Sequence, residues 1–377
     1  MNVAHVITGL GVGGAETSLM RLLSSLDRDS CRSKVISLSG NVVMGEKIER
    51  LGVEVRTLGM RRALPSPRAL MSLRDELRRF DADVVQTWMY HADLMGGLAA
   101  RLSRRPVVWS LRQSNLSGSV NRATTMLVMW TNARLSDRIP ERIVCGSEAA
   151  LRSHRAIGYS ERRMKVISNG FDTRLFRPDA SQGEEVRREL SVEDEMLVVG
   201  HVARFDPQKD HRTFVDAAKR IADRVGHVLF VMCGDGVDES NVELGRWIGE
   251  AGLNERVRLL GRRDDLPRLL NGFDVAVSSS IGEGLPNAVG EAMAMSVPCV
   301  VTDVGDTARL VGETGVVVEP SNAVDLADAV VSVLNEGEVQ RRDRGLRARR
   351  RIEQEFSLET ASRAHLALWQ EVAQCAG

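Results

Sequence analysis

The sequence predicts an α/β chain of two doubly wound, Rossmann-like parallel-sheet domains facing a cleft, with helices at the C-terminal end. Three observations carry this. Short apolar runs of strand type alternate with longer helical patterns, the alternation restarts after a polar stretch near 177–195, and 377 residues suit two moderate domains better than one.

The first strands are read at 3–8 (VAHVIT), 34–38 (KVISL), 53–58 (VEVRTL), 83–87 (DVVQT), 106–110 (PVVWS), 142–146 (RIVCG) and 165–168 (KVIS), with amphipathic segments such as 15–26 and 67–80 between them. The break falls near 175–190, where RPDASQGEE interrupts the pattern with Pro, Gly and charge. A second series follows at 196–203, 227–233, 256–260, 273–279 and 297–302, and after about 323 the chain reads as helix. The expected domains are 1–178 and 179–355, with a helix over 356–377 returning to the first. Ligands of such sheets bind outside the carboxyl ends of the strands.

Hydrophobic residues at 43% and charged residues at 27% exclude a disordered or membrane-spanning chain. The start MNVAHVITGL has no basic segment ahead of a long apolar core, so no signal peptide is read and a cytoplasmic location is expected. Cysteines 31, 145, 233, 299 and 375 form no close pair, which favours reduced thiols over zinc or disulfide frameworks. The formal charge of zero conceals a division. Residues 1–175 carry 27 Lys+Arg against 16 Asp+Glu, a surplus of +11 that the rest of the chain offsets. A basic half attracts anionic head groups, phosphates or nucleic acid, although pairs such as Arg104-Arg105 taken alone only solvate helices.

Strand 3–8 runs into Gly9-Leu10-Gly11-Val12-Gly13-Gly14, and a helix opens at Ala15-Glu16. Glycines there let backbone approach a phosphate, and the helix N-terminus favours negative charge. The spacing also fits the GxGxxG of a dinucleotide-binding dehydrogenase. That reading needs an acid at the end of the second strand for the adenosine ribose, and the chain has Ser39-Gly40-Asn41 there. A plain strand-to-helix turn is the bland alternative.

In the second half, strand 273–279 ends in Ser278-Ser279-Ser280 and is followed by IGEGLPNAVGE. Pro286 is expected at the first position of a helix, with Glu283 in the loop and Glu291 inside the helix. The amides of Asn287, Ala288 and Val289 would then face a diphosphate, and the two carboxylates would accept hydrogen bonds from hydroxyls, one on a ribose and one on a sugar. After strand 196–203, Arg204 and Lys209 could clamp two phosphates and stabilise a departing nucleoside diphosphate.

Taken in order, GGAE at 13–16, HADLMGGLAAR at 91–101, SNGFDTRLFRP at 168–178, ARFDPQKD at 203–210 and EGLPNAVGEAM at 283–293 resemble the retaining glycosyltransferases of family 4, whose fold is the two-domain GT-B. The match spans nearly the whole chain. The resemblance implies an acceptor-side domain over 1–178 and a nucleotide-sugar donor domain over 179–355. Arg204 and Lys209 would bind the donor diphosphate, Glu291 the ribose hydroxyls and Glu283 the donor sugar. The amides of 287–289, Gly13 and Gly14 would approach the phosphates, Arg262 joins the donor set, and His91 would lie near the reaction centre. A lone His ahead of an apolar helix is as often a cap or a core group.

The chain departs from the family pattern at three places: Val297 and Asp306 stand where glycines are usual, and Leu111-Arg112-Gln113 where many members have His, so that Arg112 could serve an anionic acceptor. The Asp-x-Asp pairs 27/29 and 81/83 read as a turn and a strand entry, so no metal is expected, Arg204 and Lys209 taking the cation's role.

The expected activity is transfer of a hexose-type sugar, with retention, to a hydroxyl of a glycan or lipid-linked saccharide in cell-surface polysaccharide synthesis. A UDP-sugar donor is favoured over a GDP-sugar, with no other cofactor and no nucleic acid. The basic half implies peripheral contact with an anionic membrane at its inner face. The alternatives are a sugar-nucleotide epimerase, which would release product without an acceptor, and a non-catalytic sugar-nucleotide-binding subunit.

Overall fold

The computed structural model describes residues 1–11, 13–40, 43–60, 66–116, 123–193 and 195–375; Val12 of the glycine-rich start and Asn41 lie outside them. The chain divides into two compact units, one made of Met1–Gly170 with Leu358–Gly377, the other of Phe171–Ser357.

Unit 1 holds β1 (Asn2–Ile7), β2 (Arg32–Ser37), β3 (Glu54–Thr57), β4 (Val84–Trp88), β5 (Val107–Leu111), β6 (Arg142–Cys145) and β7 (Met164–Val166) in the order β3-β2-β1-β4-β5-β6-β7. Every pair is parallel. Parallel strands need crossovers, and helices such as Gly14–Ser25 and Tyr90–Leu102 supply them, covering both sheet faces. Burial on both faces is why β4 and β5, buried at every position, are mostly apolar rather than alternating, with Gln86, Thr87 and Ser110 as their buried polar residues. One face packs Leu73, Leu77, Met95 and Trp109 with Val6, Val85 and Ile143. The other packs Leu19, Leu22 and Leu23 of the first helix with Val3, Ile7 and Trp88.

The helix Leu358–Cys375 completes that second face with Leu368, Trp369 and Val372. Trp369 is fully buried, and its Nε1–H donates to Gln86 Oε1 on β4 at 2.9 Å. Arg142 Nη2 donates to Glu371 at 2.5 Å from the start of β6. At the junction, a Cβ on Gly170 would sit 2.4 Å from Leu358 Cα, so glycine permits the close approach.

Unit 2 holds β8 (Leu197–Val202), β9 (Val228–Cys233), β10 (Val257–Leu259), β11 (Val275–Ser278), β12 (Cys299–Thr302) and β13 (Val316–Val318), all parallel, in the order β10-β9-β8-β11-β12-β13. The helix His211–Arg224 buries Phe214, Val215, Ala218 and Ile221 against β8 and β9. β13 is absent from the sequence reading, since three valines between Gly315 and Glu319 are too short a run to stand out. Pro286 corrects another expectation. It precedes the helix Asn287–Ala294 as its cap, with extended backbone (ψ 111°), and its carbonyl accepts from Gly290 N at 3.3 Å. Asn287, Ala288 and Val289 are therefore the first three helical residues. Cys31, Cys145, Cys233, Cys299 and Cys375 are all free thiols. Among the described residues, no helix is long and apolar enough to cross a membrane.

Candidate functional site

In each sheet the connections reverse direction at one place, between β1 and β4 in unit 1 and between β8 and β11 in unit 2. At such a point the two flanking loops leave the sheet on opposite sides and open a crevice at the strands' carboxyl ends. In unit 2 the loop after β8 carries Arg204 and Lys209, and the loop after β11 carries Glu283 and the helix Asn287–Ala294.

The β8 loop is held by its neighbours. Ala203 N donates to Cys233 O at 2.9 Å and Phe205 N to Asp235 O at 2.8 Å. Gly234, at φ +156°, lies so close that a Cβ would meet Ala203 O at 2.0 Å. Arg204 is exposed and donates through Nε and Nη2 to Asp206 Oδ2 at 3.1 and 3.0 Å. Asp206 also accepts from Gln208 N at 2.9 Å, ordering the turn Pro207–Lys209. Asp210 then takes the left-handed conformation (φ 45°) and caps the following helix through Thr213 N.

Lys209 Nζ donates to Glu283 Oε1, which also accepts from Ser280 Oγ at 2.7 Å. The sequence reading kept these two residues apart, one for phosphates and one for sugar. The structure brings them together. Ser279, to which no role was assigned, donates its hydroxyl to Lys209 O at 2.9 Å and Asp210 O at 3.0 Å, and pairs with His201 Nε2 at 3.2 Å. Burial drives the His201 pKa well below 6.5, so the ring is neutral and Nε2–H is the donor to Ser279. The strand-end serine triplet is the sequence signal for this clamp.

Glu291 lies buried in the helix Asn287–Ala294. Proline offers no side-chain acceptor, and the helix has no side-chain cap, so its first amides have neither an intrahelical acceptor nor a capping group. The Glu283 loop is pressed from beneath. Asp306 N donates to Gly284 O at 2.9 Å, and Gly305, at φ +62°, leaves no room for a Cβ, which would sit 2.3 Å from Glu283 O. Asp306 therefore contributes its backbone, and its carboxylate pairs with Arg309 at 3.1 Å. Arg262 stands apart from this group. It follows the edge strand β10, is exposed, and faces Asp264 at 4.0 Å.

In unit 1 the same kind of crevice holds Gly14 and His91 in one cavity of about 410 Å³, with Thr8, Glu16, Trp88, Arg112 and Gln113 on its walls. Gly14 opens the first helix with nothing within 4 Å of a Cβ, whereas a Cβ on Gly13, its cap, would meet the Glu16 carboxylate at 2.6 Å. His91 is the second residue of the helix Tyr90–Leu102, and burial lowers its pKa. The turn before it is strained. Met89 adopts φ 70° and ψ 164°, at a cost of roughly 1–3 kcal/mol, held by Met89 N to Ser110 O at 3.0 Å and Asp93 N to Met89 O at 2.9 Å. The fully buried Asp93 accepts from Thr87 Oγ1 at 2.5 Å, and burial raises its carboxyl pKa far above the ordinary range. Both Asp-x-Asp pairs are structural: Asp27 binds Ser30 Oγ, and Asp83 accepts from Asn2 N at 2.7 Å.

Two family models match the chain, one described as Glycosyltransferase Family 4 over residues 12–175 and one as Glycosyl transferases group 1 over residues 196–336. Among curated proteins, the putative glycosyltransferase EpsF of Bacillus subtilis is 26% identical over 309 residues, covering 80% of this chain and 79% of that protein. The UDP-Gal:alpha-D-GlcNAc-diphosphoundecaprenol alpha-1,3-galactosyltransferase of Escherichia coli is 27% identical over 274 residues, covering 71% and 70%. Among solved structures, Anabaena Alr3699/HepE in complex with UDP has a TM-score of 0.86 at 24% identity, covering 98% of this chain and 100% of that one, a likeness of fold.

Proposed function

Because the chain belongs to the family 4 glycosyltransferases, we propose that it moves a hexose-type sugar, with retention at the anomeric carbon, from a UDP-sugar to a hydroxyl of a lipid-linked saccharide or growing surface glycan. The observation that carries this is the gathering of Lys209, Glu283 and an uncapped helix N-terminus at the reversal point between β8 and β11. An ammonium has three N–H groups, so Lys209 can keep Glu283 and still meet the leaving diphosphate. The exposed Arg204 swings from the Asp206 carboxylate to the same phosphates. Such a pair is worth little in water, and two phosphate oxygens outcompete it. The amides of Asn287, Ala288 and Val289 receive the remaining phosphate charge, Glu291 takes the ribose hydroxyls and Glu283 the sugar's. In unit 1, Gly14 and His91 line a cavity beside Gly13, the cap of the first helix, and Arg262 completes the proposed donor set of unit 2.

The relatives' names support the substrate class: the E. coli protein uses UDP-Gal and a diphosphoundecaprenol-linked sugar, and the Anabaena structure contains UDP. Nothing in the comparisons favours an epimerase. Thermal unfolding with UDP, GDP and ADP in parallel tests the donor. A ligand at about 100 times its Kd stabilises the folded chain by about 2.7 kcal/mol, and UDP is expected to do so alone. No shift with any of the three would sink the reading. With Arg204 and Lys209 in the cation's role, transfer survives EDTA, and with +11 in the first 175 residues the chain sediments with anionic but not neutral liposomes at low salt. Loss of transfer in EDTA, or indifference to lipid charge, would remove the corresponding part.

A further inference from the structure

Arg112 follows β5 and lies against the ring of Trp88, its guanidinium carbon 5.0 Å from the ring centroid. Its side chain fits because residue 146 is glycine; a Cβ there would stand 3.1 Å from Arg112 Cδ. The guanidinium makes four hydrogen bonds. Nε donates to Ser110 Oγ at 2.9 Å, Nη1 to Asn169 Oδ1 at 3.0 Å and Ile167 O at 3.3 Å, and Nη2 to His365 Nε2 at 3.3 Å.

Every acceptor in that set is neutral. Burial holds His365 well below its ordinary pKa, so its ring carries no charge, and among the described residues no carboxylate pairs with Arg112. Arg112 is partly buried, and a cation drawn out of water without a counter-charge is unfavourable unless something anionic approaches it. Five N–H groups and four bonds leave one Nη2–H uncommitted. The side chain also forms part of the wall of the 410 Å³ cavity with Gly14 and His91. Among the described residues on its walls the one carboxylate, Glu16, is folded back over Gly13.

We propose that Arg112 seats an anionic group of the acceptor, a phosphate or a carboxylate, which takes the uncommitted Nη2–H at the cavity wall. This rests on the glycosyltransferase reading and narrows it: the acceptor is charged, and unit 1 recognises the charge. Four neutral partners and the Trp88 face pre-orient the guanidinium, so the incoming anion immobilises little. His365, brought by the C-terminal helix, is a positioning residue for it.

The test is calorimetric titration of the full chain, saturated with UDP, against phenyl phosphate and against methyl glucuronide, for wild type, R112Q and R112K. Saturation with UDP keeps the probe phosphate off the donor side. One of the two probes is expected to bind wild type with a Kd of about 1–10 mM, and which one binds tells a phosphorylated acceptor from a uronic acid. R112Q is expected to weaken it at least about ten-fold, and R112K less, since it keeps the charge but loses the fork. Circular dichroism confirms folding, and R112K serves if R112Q does not fold. Equal probe binding by wild type and both variants, or no binding to wild type at about 10 mM, overturns the proposal. UDP affinity is read separately: if wild type fails to bind UDP, the donor reading falls, while the anion titrations without nucleotide still decide Arg112.

Discussion

Lys209 is fixed at both ends, its carbonyl by the Ser279 hydroxyl and its ammonium by Glu283. Lys209→Ala should therefore remove a charge that is already positioned, and kcat is expected to fall about 10²- to 10³-fold with the Tm little changed. Glu291→Ala should instead raise the donor KM if Glu291 takes the ribose as proposed, since the phosphates are left alone. Steady-state kinetics on both variants check this, and normal turnover in either removes that residue from its role. The stretches that hold Arg204, Lys209, Glu283 and Glu291 stand out in the sequence because a loop motif is local. Their pairing was not. Lys209 and Glu283 lie 74 positions apart, and only the adjacency of β8 and β11 brings them together. The neutral surroundings of Arg112 were equally hidden, since His365 is 253 positions away.

Strands and helices were read more completely than their ends. Twelve of the thirteen strands stand at predicted places, the central ones because burial on both faces keeps them mostly apolar, although edge strands such as β3 are only half-buried. β13 escaped although β7, equally short and equally half-buried, did not. Pro286 was misplaced by one position, as its fixed φ suits either the cap or the first turn and ψ alone distinguishes them. The helix Leu358–Cys375 carries the strongest expectation at this scale. Trp369 is fully buried and bonded to Gln86, so Trp369→Ala opens a large cavity and orphans an amide. A loss of about 3–5 kcal/mol in urea unfolding is expected, and a loss under about 1 kcal/mol would show that the helix does not support unit 1.

Buried histidines couple the whole molecule to pH. Burial lowers the pKa of His5 to about 3 and of His154 and His211 to about 4, and takes His201 and His365 well below 6.5. The unfolded chain therefore binds more protons below pH 6.5, and the sign follows: stability is full above pH 6.5 and is lost as pH falls toward the folded values. Each such histidine costs about 1.4 kcal/mol per pH unit within that window. Scanning calorimetry should show a markedly lower Tm at pH 5 than at pH 7.5, and equal values would contradict neutral burial. The charge division is visible in sequence, whereas the histidine burial depends on tertiary packing and is not.

Unit 1 is assembled from both ends of the chain, with Gln86 near its start and Trp369 near its finish. During synthesis, all of Phe171–Ser357 is made before the tryptophan that Gln86 awaits. The half begun first is thus completed last, and a premature stop at codon 358 would spare every residue of unit 2 while stripping the cover from β1 and β4.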